Sequence, residues 1–155
     1  MDHDLDSSAS ARVCAALARE VASVELLLHR LEIHDLVHRN GPPRLLEQAM
    51  ADLERALAVA RRDELLTAVE VRALDLPSGD PIMLVHGDAG LPPRFPEPWD
   101  AVLTGHCRRL DAALAGIRQV LAAPERADDG PVWARLDTWL ARRTRVGELI
   151  DLCPP

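Results

Sequence analysis

Apolar residues recur at spacings of three and four through most of the chain, the period of a helix with one buried face. Between residues 10 and 39 the stripe is Val13, Leu17, Val21, Val24, Leu28 and Leu31, and Leu26, Leu27, Ile33, Leu36 and Val37 widen its second half. A face that broad predicts more than one packing neighbour. Ser7 and Ser8 stand where an N-cap is needed. Asn40-Gly41-Pro42-Pro43 then breaks the pattern. Glycine closes helices in a left-handed conformation, which is expected of Gly41, and Pro43 suits the first turn of the next helix. So short a link predicts an antiparallel helical hairpin.

The second helix is expected over 43–74. Leu46, Met50, Leu53, Leu57 and Ala60 form its first stripe, and Leu65, Leu66, Val69 and Ala73 are expected to continue it. At a rise of ~1.5 Å per residue each arm is roughly 45 Å long, which favours coiled-coil-like packing. Prolines 77, 81, 92, 93, 96 and 98 with glycines 79, 87 and 90 rule out a regular element across most of 75–98. A third helix is expected from Trp99, with Leu103, His106, Leu110, Ala113, Ile117 and Leu121 in a near-heptad repeat ended by Pro124. After the polar hinge Ala127-Asp128-Asp129-Gly130 comes a last amphipathic segment, 131–152. It has Val132, Leu136, Trp139, Leu140, Val146 and Ile150 on one side and Arg135, Arg142, Arg143 and Arg145 mostly around the other. The expected fold is all-α. It is one helical domain over 1–155, with a core at 10–123 and a C-terminal amphipathic helix behind a hinge.

Composition supports helices over sheets. Apolar residues make up 48% of the chain but aromatics only 3%, with no Tyr, so a core of Leu, Val and Ala is expected. The net charge of -7 argues against a nucleic-acid grip, which needs a basic footprint. Every basic residue is Arg. The start, Met1-Asp2-His3-Asp4-Leu5-Asp6, lacks the basic and apolar runs of a signal peptide, and no apolar run reaches the ~20 residues of a membrane span. A cytoplasmic protein without membrane insertion is expected.

Candidate chemistry is sparse. Cys14, Cys107 and Cys153 are odd in number and far apart, so neither a disulfide framework nor a zinc knuckle is expected; Cys14 and Cys107 read as buried thiols. His34 and His38 stand one helical turn apart and could share a metal, but His29 and Asp35 point elsewhere. A solvated polar edge beside Glu32 and Arg39 is the simpler expectation. His106 reads as a core or interface histidine. Ser78-Gly79-Asp80 and His86-Gly87-Asp88 read as solvated turns, and no nucleophile elbow, P-loop or dinucleotide fingerprint is present. No enzyme, cofactor, metal or small-molecule substrate is expected. The Trp residues are more suggestive. Trp133 and Trp139 lie in the short last helix, and Trp and Arg are favoured at binding hot spots. Trp133, Leu136, Trp139, Leu140, Val146 and Ile150 are therefore the candidate partner-binding residues.

The stretch Val24-Glu25-Leu26-Leu27-Leu28-His29-Arg30-Leu31-Glu32 leads to Asn40-Gly41. It is followed by Leu53-Glu54-Arg55-Ala56-Leu57, then Glu64-Leu65-Leu66-Thr67-Ala68-Val69, then Pro96-Glu97-Pro98-Trp99 before a third helix. This order resembles the FlgN family of flagellar export chaperones, in the form found in high-GC bacteria, over roughly 17–123. The resemblance implies a cytoplasmic chaperone. Such a protein binds the amphipathic terminal helices of flagellar hook-associated proteins, keeps them unassembled and delivers them to the export apparatus. The alternative is a non-catalytic regulatory or scaffold bundle, such as an anti-sigma-like binder. A metal-dependent bundle enzyme using His34 and His38 is a third reading.

Overall fold

The computed structural model describes residues 7–73, 95, 98–123 and 131–151, with side chains in the last helix described as far as Arg143. These residues form four helices and no strand: α1 (Ser7–Asn40), α2 (Pro43–Arg72), α3 (Trp99–Leu121) and α4 (Pro131–Asp151). All four lie within a few residues of the bounds expected from periodicity.

Helix ends follow backbone chemistry. α1 carries His38 and Arg39 in its last turn, where positive charge meets the unsatisfied carbonyls. Pro43 opens α2, its missing N–H costing nothing in a first turn, and the Pro42 carbonyl accepts from Leu45 N–H at 2.9 Å. α3 has Asp100 in its first turn and Arg118 in its last, both favourable to the helix dipole.

One expectation at the hairpin turn is corrected. Gly41 does not take the left-handed conformation. Its N–H donates to Val37 O at 2.6 Å, which holds it in a helical turn, and the extended Pro42 (φ -72, ψ 147) then reverses the chain. Glycine is still required, for room. A Cβ at position 41 would stand 2.6 Å from the Val37 carbonyl oxygen and 2.8 Å from Val37 Cγ1.

Ion pairs fix the directions of the helices. Arg12–Glu70 (3.2 Å) and Arg30–Asp52 (3.5 Å) tie opposite ends of α1 and α2, which are antiparallel. α3 runs parallel to α1: Trp99 Nε1 meets Ser7 Oγ at 3.4 Å, and further along Arg109 grips Glu25 through two bonds of 2.9 and 2.6 Å. Gly116 then lets α3 come close to Leu28, whose Cδ2 lies 2.7 Å from where a Cβ would sit. α4 returns antiparallel to α1, its Trp133 against His34 and its Arg143 against Glu20. The order is up, down, up, down.

α1 is the centre of this arrangement. It packs over long stretches against α2 and α3 and meets α4 through side chains. The face predicted for it is buried at Val13, Leu17, Val21, Val24, Leu27 and Leu31, whereas Leu26 and Leu36, expected to widen it, are exposed. These residues join Leu53, Leu57, Leu103, Leu110, Ile117, Trp133, Leu136 and Trp139 in one apolar core. The second half of α2 departs from expectation. Leu65 and Val69 are more than 60% exposed and Leu66 is 44% exposed, while Asp63, Thr67 and Val71 take the buried positions. A helix turns 100° per residue, so the step from Ala60 to Leu65 leaves the core face, whereas Asp63, Thr67 and Val71 continue it.

Candidate partner-binding surface

Four of the six candidate residues, Trp133, Leu136, Trp139 and Leu140, lie on the face of α4 that closes over the α1–α2 pair, and all four are buried there. The side chains of Val146 and Ile150 fall outside the described residues. The tryptophans therefore act, in this arrangement, as the anchors by which α4 holds the hairpin.

Each anchor has a polar counterpart. Trp133 meets the edge of the His34 ring at 5.2 Å, and His34 in turn stacks on His38 at 6.3 Å with rings nearly parallel. His34 is thus buried beneath α4 and does not sit on a solvated edge as the sequence suggested. It continues the stripe Leu27, Leu31, His34, and the fourth helix covers it. Trp139 Nε1 donates to Glu64 Oε2 at 2.8 Å. That oxygen also accepts from Arg142 at 3.0 Å.

Among the described residues, the most deeply placed ion pair joins α1 to α4. Arg143 Nη2 donates to Glu20 Oε1 at 2.6 Å, with the Glu20 side chain fully buried and that of Arg143 9% exposed. Arg143 Nη1 lies 3.8 Å from Glu64 Oε1, and the guanidinium sits 5.3 Å from the centre of the Trp139 ring. Glu20 Oε2 accepts no hydrogen bond among the described residues. A further pair, Arg135 with Glu54 at 2.9 Å, fastens the outer edge of α4 to α2. α4 is held by long side chains more than by close backbone approach, in contrast to α1 with α2.

Between α2 and α4 lies an open cleft of about 210 Å³, lined by Arg61, Ala134, Arg135, Thr138, Trp139 and Arg142. Elsewhere the chemistry is quiet. Cys14 and Cys107 are free, buried thiols, as expected; burial pushes the Cys14 pKa up. Its Sγ approaches the Trp99 carbonyl at 4.0 Å. His106 is half-buried at the edge of α3, with Cys107 taking the buried place beside it. Burial and the nearby Arg109 hold its pKa below the ordinary value. No group of His, Cys, Asp or Glu among the described residues is arranged to hold a metal ion, and no helix among them is long and apolar enough to cross a membrane. Ser78-Gly79-Asp80, His86-Gly87-Asp88 and Cys153 lie outside the described residues.

Sequence reasoning singled out Trp133 and Trp139 as partner-binding residues but did not find the groups on α1 and α2 that they meet within the chain. Glu20 and His34 both carried a signal, since each polar residue falls in register within the apolar stripe of α1. Glu64 and Arg61 carried none. No family model matches this chain, and neither a curated protein nor a solved structure matches it.

Proposed function

We propose that this chain is a non-catalytic, cytoplasmic chaperone of the FlgN kind. It binds the amphipathic terminal helices of flagellar hook-associated proteins and presents them to the export apparatus without a cofactor. The observation that supports this reading most is the seating of α4. A groove between two long helices that accepts one amphipathic helix through two Trp anchors has the form needed to accept another from a client. In this reading α4 holds the groove in the empty protein and yields to the client, and its anchors engage the client in turn. Releasing α4 exposes both tryptophans, and removing even one buried Trp side chain costs about 3–5 kcal/mol. The client helix must offset that with apolar contacts of its own.

Titration calorimetry of the full chain with C-terminal helical segments of the hook-associated proteins tests the reading. Binding is expected, with faster exchange of the α4 amides that the empty protein holds against the hairpin. Absence of binding to every such segment would overturn the chaperone reading. Binding with α4 still protected would overturn the exchange.

A further inference from the structure

The α2–α4 cleft differs from the groove filled by α4 and exists only while α4 is docked. Its electrostatics run against those of the whole molecule. In a chain of net charge -7, three guanidiniums, Arg61, Arg135 and Arg142, gather around one cleft. Two are partly neutralised, because Arg135 gives Nη2 to Glu54 and Arg142 gives Nη2 to Glu64. A guanidinium has five N–H donors, so each keeps donors for a further acceptor. Arg61 pairs with no acidic side chain among the described residues, leaving one uncompensated positive charge at the rim.

Exposed apolar residues of α2 follow on from Arg61. Arg61, Leu65 and Val69 follow at intervals of four, so they share one face of α2. Leu65 is 62% and Val69 63% exposed. Trp139, Ala134 and Thr138 form the opposite wall. Arg135 and Arg142 are seven residues apart, about 10 Å along α4, the distance of two helical turns.

We propose that this cleft docks an acidic amphipathic helix of a partner protein. Its apolar residues lie over Leu65 and Val69, and its carboxylates, two turns apart, face the three arginines. Charge decides the occupant. The net charge of the chain disfavours acidic helices in general, whereas at this cleft arginines outnumber the acidic groups beside them. The inference does not rest on the flagellar reading, since it requires α4 to stay in place.

The test uses the full chain and two designed 18-residue helical peptides, with Leu on one face and either Glu or Lys on the other. Calorimetry is expected to show binding of the Glu peptide, with the Lys peptide at least tenfold weaker and α4 amides still protected. Arg61→Glu should weaken the Glu peptide at least tenfold and improve binding of the Lys peptide. Arg61→Gln gives a smaller loss, and the exposed position leaves the melting temperature of both variants unchanged. Equal affinity for the two peptides, or indifference to Arg61→Glu, overturns the proposal. So does Arg61-dependent binding of inorganic phosphate or ATP without binding of the Glu peptide, which would mark a phosphate site instead.

Discussion

Replacing Arg143 with Met removes one half of the buried Glu20–Arg143 pair and keeps most of the side-chain volume. Glu20 is then left fully buried with a formal charge and no cation, since its Oε2 has no other hydrogen-bond donor among the described residues. Breaking such a pair typically costs 3–5 kcal/mol, far above the ~1 kcal/mol or less of a surface pair. Glu64 suffers less, because Trp139 and Arg142 still donate to it. For a domain of this length each kcal/mol moves the melting temperature by about 2–4 °C. Arg143→Met should therefore lower it by roughly 6–20 °C. Converting both partners, Glu20→Leu with Arg143→Met, removes the stranded charge, so the double variant should recover most of the loss or exceed the starting stability. Circular dichroism reads the global transition. Tryptophan emission reads a second route, in which α4 lifts away and lets water reach Glu20; an early red shift below the main transition would mark it. A single variant that melts within 2 °C of the parent, without that early shift, would refute the argument. So would a double variant less stable than the single one.

Further outcomes follow from other contacts. Gly41→Ala should lower stability by about 1–3 kcal/mol in a thermal melt, since the new Cβ falls 2.6 Å from the Val37 carbonyl oxygen. Trp139→Phe should cost less than Trp139→Ala, because Phe keeps one aromatic ring in the core while losing the rest of the indole and its donation to Glu64; denaturant midpoints of the two variants compare them. The folded state favours neutral His106, its pKa lying below the usual 6.5 through burial and Arg109. Its contribution is present above the unfolded-state value and is lost as the pH falls below it, so His106→Gln should flatten the stability profile on the acid side of pH 6.5. The buried Cys14 thiol should resist alkylation at neutral pH until the chain unfolds, as mass spectrometry after iodoacetamide can follow.

Much of the fold could be read from the spacing of Leu, Val and Ala, because long amphipathic helices repeat one signal many times. Asn40, Gly41 and the prolines marked the ends of α1 and α2 for the same reason: their backbone chemistry is local. What was not legible depended on partners distant in sequence. His34 reads as an edge residue until Trp133 covers it, and Glu20 reads as an intrusion in a stripe until Arg143 arrives. Asp63 illustrates the reverse case. It holds a core-facing position on α2 through an ion pair with Arg62, while the more apolar Leu65 and Val69 remain outside. Hydrophobicity alone misplaces that face; the geometric continuation of the helix places it. The cleft was hidden because its arginines come from two helices more than seventy residues apart.

The Glu20–Arg143 pair also has a consequence in time. Its partners are 123 residues apart, and a ribosome adds about 5–20 residues per second, so roughly 6–25 s separate the synthesis of the carboxylate from that of its guanidinium. The hairpin can close meanwhile, because its two arms are joined by only Gly41 and Pro42. Through that interval the nascent chain carries a hydrated charge on the very face that the last helix will cover. A groove marked in this way resists premature collapse onto passing apolar surfaces until a helix that can meet the charge arrives.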